Sequence, residues 1–140
     1  MPVHSTNIVA RLDGYQTNVS PEYAIENYTT SSSFVTAPLV IKRKSGWSLS
    51  FSCPATGSPN GTFSIEVSND KELRLDIADD GLVNWQTLTD GGETLSDSVV
   101  SDSLITYEDR DPQYRWMRAK YERTSGTITA TIRIHTKENK

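Results

Sequence analysis

Hydrophobic and polar residues alternate with a period of two along most of the chain, and no stretch carries an apolar helical face longer than a turn or two. In "GWSLSFSC", Trp47, Leu49, Phe51 and Cys53 alternate with Ser48, Ser50 and Ser52, the pattern of a strand buried on one face and wet on the other. "GTFSIEVS" repeats it with Phe63, Ile65 and Val67 inward, and the Asn60-Gly61 pair before it turns easily, so the two runs are expected to form a hairpin or neighbouring strands. Near the end of the chain, Met117, Ala119 and Tyr121 alternate with Arg118 and Lys120, and Ile128, Ala130, Ile132 and Ile134 alternate with threonines and Arg133. Ser125-Gly126 between them reads as a tight hairpin turn. Weaker strands are expected at Ile8 to Leu12, Val35 to Arg43, Leu82 to Leu88 and Ser103 to Glu108.

About eight strands at this spacing predict an all-β chain, an antiparallel β-sandwich or jelly roll. Residues 13–33 are polar and lack an obvious period, and read as a long N-terminal loop or arm in which Tyr15, Tyr23 and Tyr28 supply surface for docking. "DGGETLSDSVVSD" reads as an exposed acidic loop. The length of 140 residues, 35% of them hydrophobic, suits one domain over 1–140. No apolar run approaches the roughly 18 residues of a membrane helix, and "MPVHSTNIVA" lacks a signal-peptide core, so no membrane partner is expected.

Charge changes this picture because it is unevenly spread. The net charge of -4 divides into -1 over residues 1–70, -8 over 71–111 and +5 over 112–140. If Ser125-Gly126 closes a two-stranded ribbon, Tyr121 faces Ala130, Trp116 faces His135, Lys120 faces Thr131 and Arg118 faces Arg133. Two arginines directly opposite each other repel, so an acidic surface is expected over Arg118, Lys120, Arg133 and Trp116. A second copy of the chain is the first candidate, followed by the chain's own acidic middle, the acidic surface of a larger assembly and nucleic acid. Nucleic acid is disfavoured, since so few exposed cations on an acidic chain make a weak phosphate binder.

Candidate chemistry is sparse. His4 and His135 stand at opposite ends, so a serine or cysteine nucleophile has no base assigned by the sequence. Cys53 is alone and reads as a small core residue. Asp76, Asp79 and Asp80 in "DIADDG" offer oxygen ligands without the spacing of a calcium loop, and no metal or cofactor is expected. Trp47 belongs to an apolar face, whereas Trp85 and Trp116 could stack on a sugar ring.

The order "GTFSIEVSND", "NWQTL", "YRWMRAKYERTSGTITATI" resembles small β-sandwich structural proteins of tailed bacteriophages, over roughly Gly46 to Ile134. The matching positions are Ser68, Asn69, Asp70, Asn84, Trp85, Arg118, Tyr121, Ser125 and Gly126. This resemblance implies a non-enzymatic virion protein without a catalytic site, made in the host cytoplasm. A capsid decoration or other head protein comes first, with a tail or adaptor protein as its neighbour. Its expected partners are itself, as a homo-oligomer, and other virion proteins. The alternative is a carbohydrate-binding module or fibre adhesion domain, with a glycan as partner.

Overall fold

The computed structural model describes residues 8–10, 13–16, 21–36, 38–41, 44–69, 85–90, 93–109 and 112–138. In chain order the strands are β1 (Ile8–Ala10), β2 (Asp13–Gln16), β3 (Pro21–Thr30), β4 (Phe34–Thr36), β5 (Leu39–Val40), β6 (Lys44–Ser52) and β7 (Asn60–Ser68). They continue as β8 (Gln86–Thr87), β9 (Thr89–Asp90), β10 (Glu93–Thr94), β11 (Ser96–Val99), β12 (Leu104–Asp109), β13 (Trp116–Ser125) and β14 (Ile128–Glu138). No helix occurs among the described residues. One sheet has the order β1-β4-β13-β7-β11, with β5 also paired to β13 and β8 to β7. A second has the order β12-β6-β14-β3-β2, and β10 and β9 form a separate two-stranded sheet.

The two main sheets pack as a sandwich, and the alternating residues identified in the sequence form its interior. Phe51 of one sheet stacks on Phe63 of the other at 4.4 Å between ring centroids, and Tyr121 lies 6.5 Å from Phe51. Trp47, Leu49, Ile65, Met117, Ala119, Ile128, Ala130, Ile132 and Ile134 also belong to this core. Cys53 is buried in the same cluster, and its thiol donates to the Val100 carbonyl at 3.3 Å.

Both expected hairpins are instead crossovers between sheets. Strand β6 pairs with β12 and β14, whereas β7 pairs with β13, β11 and β8. Likewise β13 lies against β7, β4 and β5, while β14 lies between β6 and β3. Tyr121 therefore stands opposite Phe63 and Phe34, and Arg118 opposite Glu66, so the arginine pair expected from a two-stranded ribbon does not form. Inward alternation is compatible with either arrangement, because an apolar face can be buried by a neighbour in its own sheet or by the sheet across the core. The two crossovers nest against each other. The Thr127 amide donates to the Gly57 carbonyl at 2.9 Å, and the Arg123 Nε donates to the Gly126 carbonyl at 2.8 Å. Gly57 and Gly126 have φ of 79° and 78°, and a Cβ on Gly126 would lie 2.1 Å from the Ser58 carbonyl oxygen. Positive φ and close backbone approach are what only glycine supplies cheaply.

The expected N-terminal arm is also largely strand. Residues 21–30 form β3, which pairs with β14 from Ile128 to His135, with a bulge where Glu26 and Asn27 oppose Thr131. Asn27 has φ of 53°, and its amide, turned off the ladder, donates to Thr131 Oγ1 at 3.1 Å. That extra residue breaks the period-two pattern, which is why the stretch reads as irregular. Tyr23 and Tyr28 lie half-buried against the core, with Tyr28 edge-on to Phe34 at 5.0 Å. Part of the supposed acidic loop is strand too, since β9 and β10 pair and β11 edges the larger sheet.

At the other edge, Tyr107 of β12 reaches across the sandwich and donates to Asp97 Oδ2 of β11 at 2.5 Å. Burial, then the hydrogen bond and the negative charge of Asp97, hold the Tyr107 hydroxyl far above the ordinary tyrosine value of 10.0. The folded state therefore favours the protonated phenol. Its contribution to stability is complete below the unfolded value and is lost as pH rises above it toward the raised folded value. Urea midpoints of the wild type should fall as pH rises above about 10, and those of Tyr107→Phe should fall less. Parallel pH profiles for the two proteins would show that this contact is not maintained in solution.

Candidate functional site

Two cations of β13, Arg118 and Lys120, are paired with carboxylates within the chain. Glu66, directly opposite Arg118, accepts at Oε1 from Arg118 Nε at 2.8 Å and lies 2.7 Å from Nη2. Both side chains are buried, with 6% and 10% of their surface exposed. Lys120 Nζ lies 3.7 Å from Glu66 Oε2 and 3.1 Å from Glu122 Oε1. The guanidinium carbon of Arg118 sits 4.2 Å from the centre of the Trp85 ring. This contact occupies one face of Trp85, leaving it a poor open platform for a sugar, and attracts the cation to the ring. Trp116 is half-buried, in register with Ser68 and Val40.

Arg133 belongs to the other sheet. Its Nη2 lies 2.6 Å from Glu26 Oε1, and Glu26 is diagonal to it across the β14–β3 ladder. The expected basic surface is thus divided between two sheets. Arg118 is turned into a buried ion pair, Lys120 is flanked by two carboxylates, and Arg133 is held by Glu26. Tyr23 and Tyr28 contribute to the core margin, while Tyr15 is placed only through its backbone, opposite Glu22. Asp76, Asp79, Asp80 and Asn84 lie outside the described residues. Among the described residues no group of three potential metal ligands converges.

The smaller sheet presents a different feature on its outer face. The serines of β6, which the alternation turns away from the core, stand between longer residues on both neighbouring strands. Glu108 and His135 flank Ser48, and Thr106 and Arg133 flank Ser50. A small residue between two taller rows leaves a trough. This one has a volume of about 460 Å³ and is lined by Ser48, Ser50, Thr106, Glu108, Arg133 and His135, with Leu49 and Tyr107 beside them. The row through Ser48 continues past His135 to Glu22 and to the backbone of Tyr15.

A serine, a histidine and a glutamate aligned across strands suggest acyl transfer, but the setting opposes it. The amides of β6 are committed to ladders on both sides, so the floor of the trough offers no pair of free backbone donors for an oxyanion. The trough can donate and accept hydrogen bonds through hydroxyl, carboxylate, imidazole and guanidinium groups. The sequence marks Arg133 as a surface candidate and Ser48 and Ser50 as a wet face, but does not bring Thr106, Glu108 and His135 beside them. The one available signal was the Ser-x-Ser-x-Ser run on a strong strand; the identity of the flanking strands depends on long-range pairing.

No protein-family model matches the chain, and no curated protein does. Among solved structures, it is similar to the SPBc2 prophage-derived protein YomS, at 7% identity and a TM-score of 0.48, over 87% of this chain and 98% of that one. It is also similar to a CBM4 carbohydrate-binding module, at 14% identity and a TM-score of 0.42, covering 91% and 78% of the two chains. Similarity to PirA has 16% identity and a TM-score of 0.38, covering 87% and 96%. These likenesses are of chain path and assign no chemistry.

Proposed function

We propose that the chain is a non-enzymatic structural protein of a bacteriophage particle, a capsid decoration or head protein that acts by assembling with itself and with other virion proteins. The resemblance in the sequence supports this reading, and its residues have scaffold roles here: Tyr121 in the core, Arg118 in the buried ion pair, Gly126 in the nested crossover. The observation that carries it is an apolar corner at the start of the edge strand β12. Leu104 is 72% exposed and Val100 56% exposed on the two sides of one turn. That turn is rigid, with the Val100 amide donating to Ser103 Oγ, the Asp102 amide donating to the Pro54 carbonyl and Asp102 at a φ of 62°. Apolar side chains held outward on a rigid turn beside a sheet edge favour a partner that covers them.

Sedimentation velocity on the purified protein tests the self-assembly, and co-sedimentation with purified particles tests the virion contact. The wild type should sediment above its monomer mass of 15.6 kDa. Leu104→Ser combined with Val100→Ser should shift it to monomer and weaken its retention on particles. The fold should survive, because exposed positions of this kind change stability by only about 0.5 kcal/mol. Assembly should also resist added salt, since Arg118, Lys120 and Arg133 are paired with carboxylates within the chain. A wild type that remains monomeric and ignores particles, or a double variant that assembles equally well, would overturn the reading.

A further inference from the structure

The geometry points to a second binding surface, the serine-floored trough on the outer face of the smaller sheet, as a site for a neutral oligosaccharide. This inference is independent of the assembly contact, which lies at the Val100–Leu104 turn. Its first basis is shape. Ser48 and Ser50 form a low floor between the Thr106/Glu108 row and the Arg133/His135 row, and about 460 Å³ falls within the range of small-ligand sites. The strand direction sets the trough's direction, so an elongated ligand can lie along β6.

Charge narrows the ligand. Arg133 is engaged by Glu26 at 2.6 Å, and Glu108 stands on the opposite rim, so an anion meets a carboxylate and an already matched guanidinium. A cation finds no free carboxylate, because Glu108 is itself partnered within the chain. An apolar ligand would cover serine and threonine hydroxyls without satisfying them. Hydroxyl groups both donate and accept, and so do those of a neutral sugar, while Glu108 accepts and Arg133 donates at fixed places along the rims. Glu108, Arg133 and His135 each also have a partner within the chain, which holds them in place as the edges of the trough. An extended peptide is a poorer occupant, because every inner strand of this sheet is paired on both sides and its face offers no backbone ladder.

The test is a titration of the full-length, isotope-labelled protein, followed by amide chemical shifts. Cellohexaose, maltohexaose, hexa-N-acetylchitohexaose and mannohexaose serve as neutral probes, with heparin hexasaccharide as the anionic control. At least one neutral probe should move the amides of Ser48, Ser50, Thr106, Glu108, Arg133 and His135. Ser50→Trp fills the trough and should weaken that binding at least about tenfold, a loss of about 1.4 kcal/mol. Its core amide shifts, at Phe63 and Tyr121, report whether the variant is folded. Glu108→Gln, a smaller change, should weaken the same probe if Ser50→Trp proves misfolded. Absence of any neutral-probe response at about 10 mM, stronger binding of the heparin fragment, or shifts located elsewhere would overturn the site. The Leu104→Ser, Val100→Ser double variant should bind the sugar normally, which separates this outcome from the assembly experiment.

Discussion

Glu66→Ala is expected to destabilise the protein by about 3 to 5 kcal/mol, the cost of leaving a buried charge without its partner. Arg118 keeps its contact with Trp85 in that variant, and Lys120 keeps Glu122, but neither replaces a carboxylate bound at both Nε and Nη2. Because a small domain is stable by only about 5 to 15 kcal/mol, a loss of this size should be plain in a urea titration. Combining Glu66→Met with Arg118→Met should recover most of the loss, since an apolar pair of similar volume avoids desolvating two charges. If Glu66→Ala costs less than about 1 kcal/mol, the guanidinium reaches water in solution and the pair is not a buried one.

A loss of similar size is expected for Phe51→Ala, at about 3 to 5 kcal/mol, as for other large-to-small changes at buried aromatics. Phe51 is fully buried between the sheets, stacked on Phe63 at 4.4 Å with Tyr121 beyond it. Truncation removes the contact that joins the two layers at their centre. Ser50→Ala, on the neighbouring position and the opposite face, should cost less than about 0.5 kcal/mol. Calorimetric or denaturant measurements giving the reverse order would mean that β6 presents its other face to the core.

The same two strands show why local pattern and long-range pairing carry different information. Alternation in β6, β7, β13 and β14 correctly marks Trp47, Phe51, Phe63, Ile65, Tyr121 and Ile132 as core, because strand geometry alone sends every second side chain to one face. It leaves open which strand lies alongside. Ser125-Gly126 reads as a hairpin turn, yet the left-handed Gly126 and the contacts between Thr127, Gly57 and Ser58 turn the chain into the opposite sheet. For that reason the repelling arginine pair predicted from a ribbon is absent, and Arg118 meets Glu66 while Arg133 meets Glu26.

By itself, then, the sequence determined the all-β class, the inward set of residues and the wet serine face of β6, all of which follow from period-two alternation within single strands. Tertiary structure alone decided that residues 21–30 are a strand, because a bulge at Glu26 and Asn27 hides its period until β14 supplies the ladder. It also decided how the cations are neutralised and where the trough lies. Those depend on residues more than fifty positions apart meeting across strands, as Glu66 does with Arg118 and Ser48 with His135. A strand's own side-chain order encodes its faces, whereas its neighbours are selected by how the whole set of faces packs.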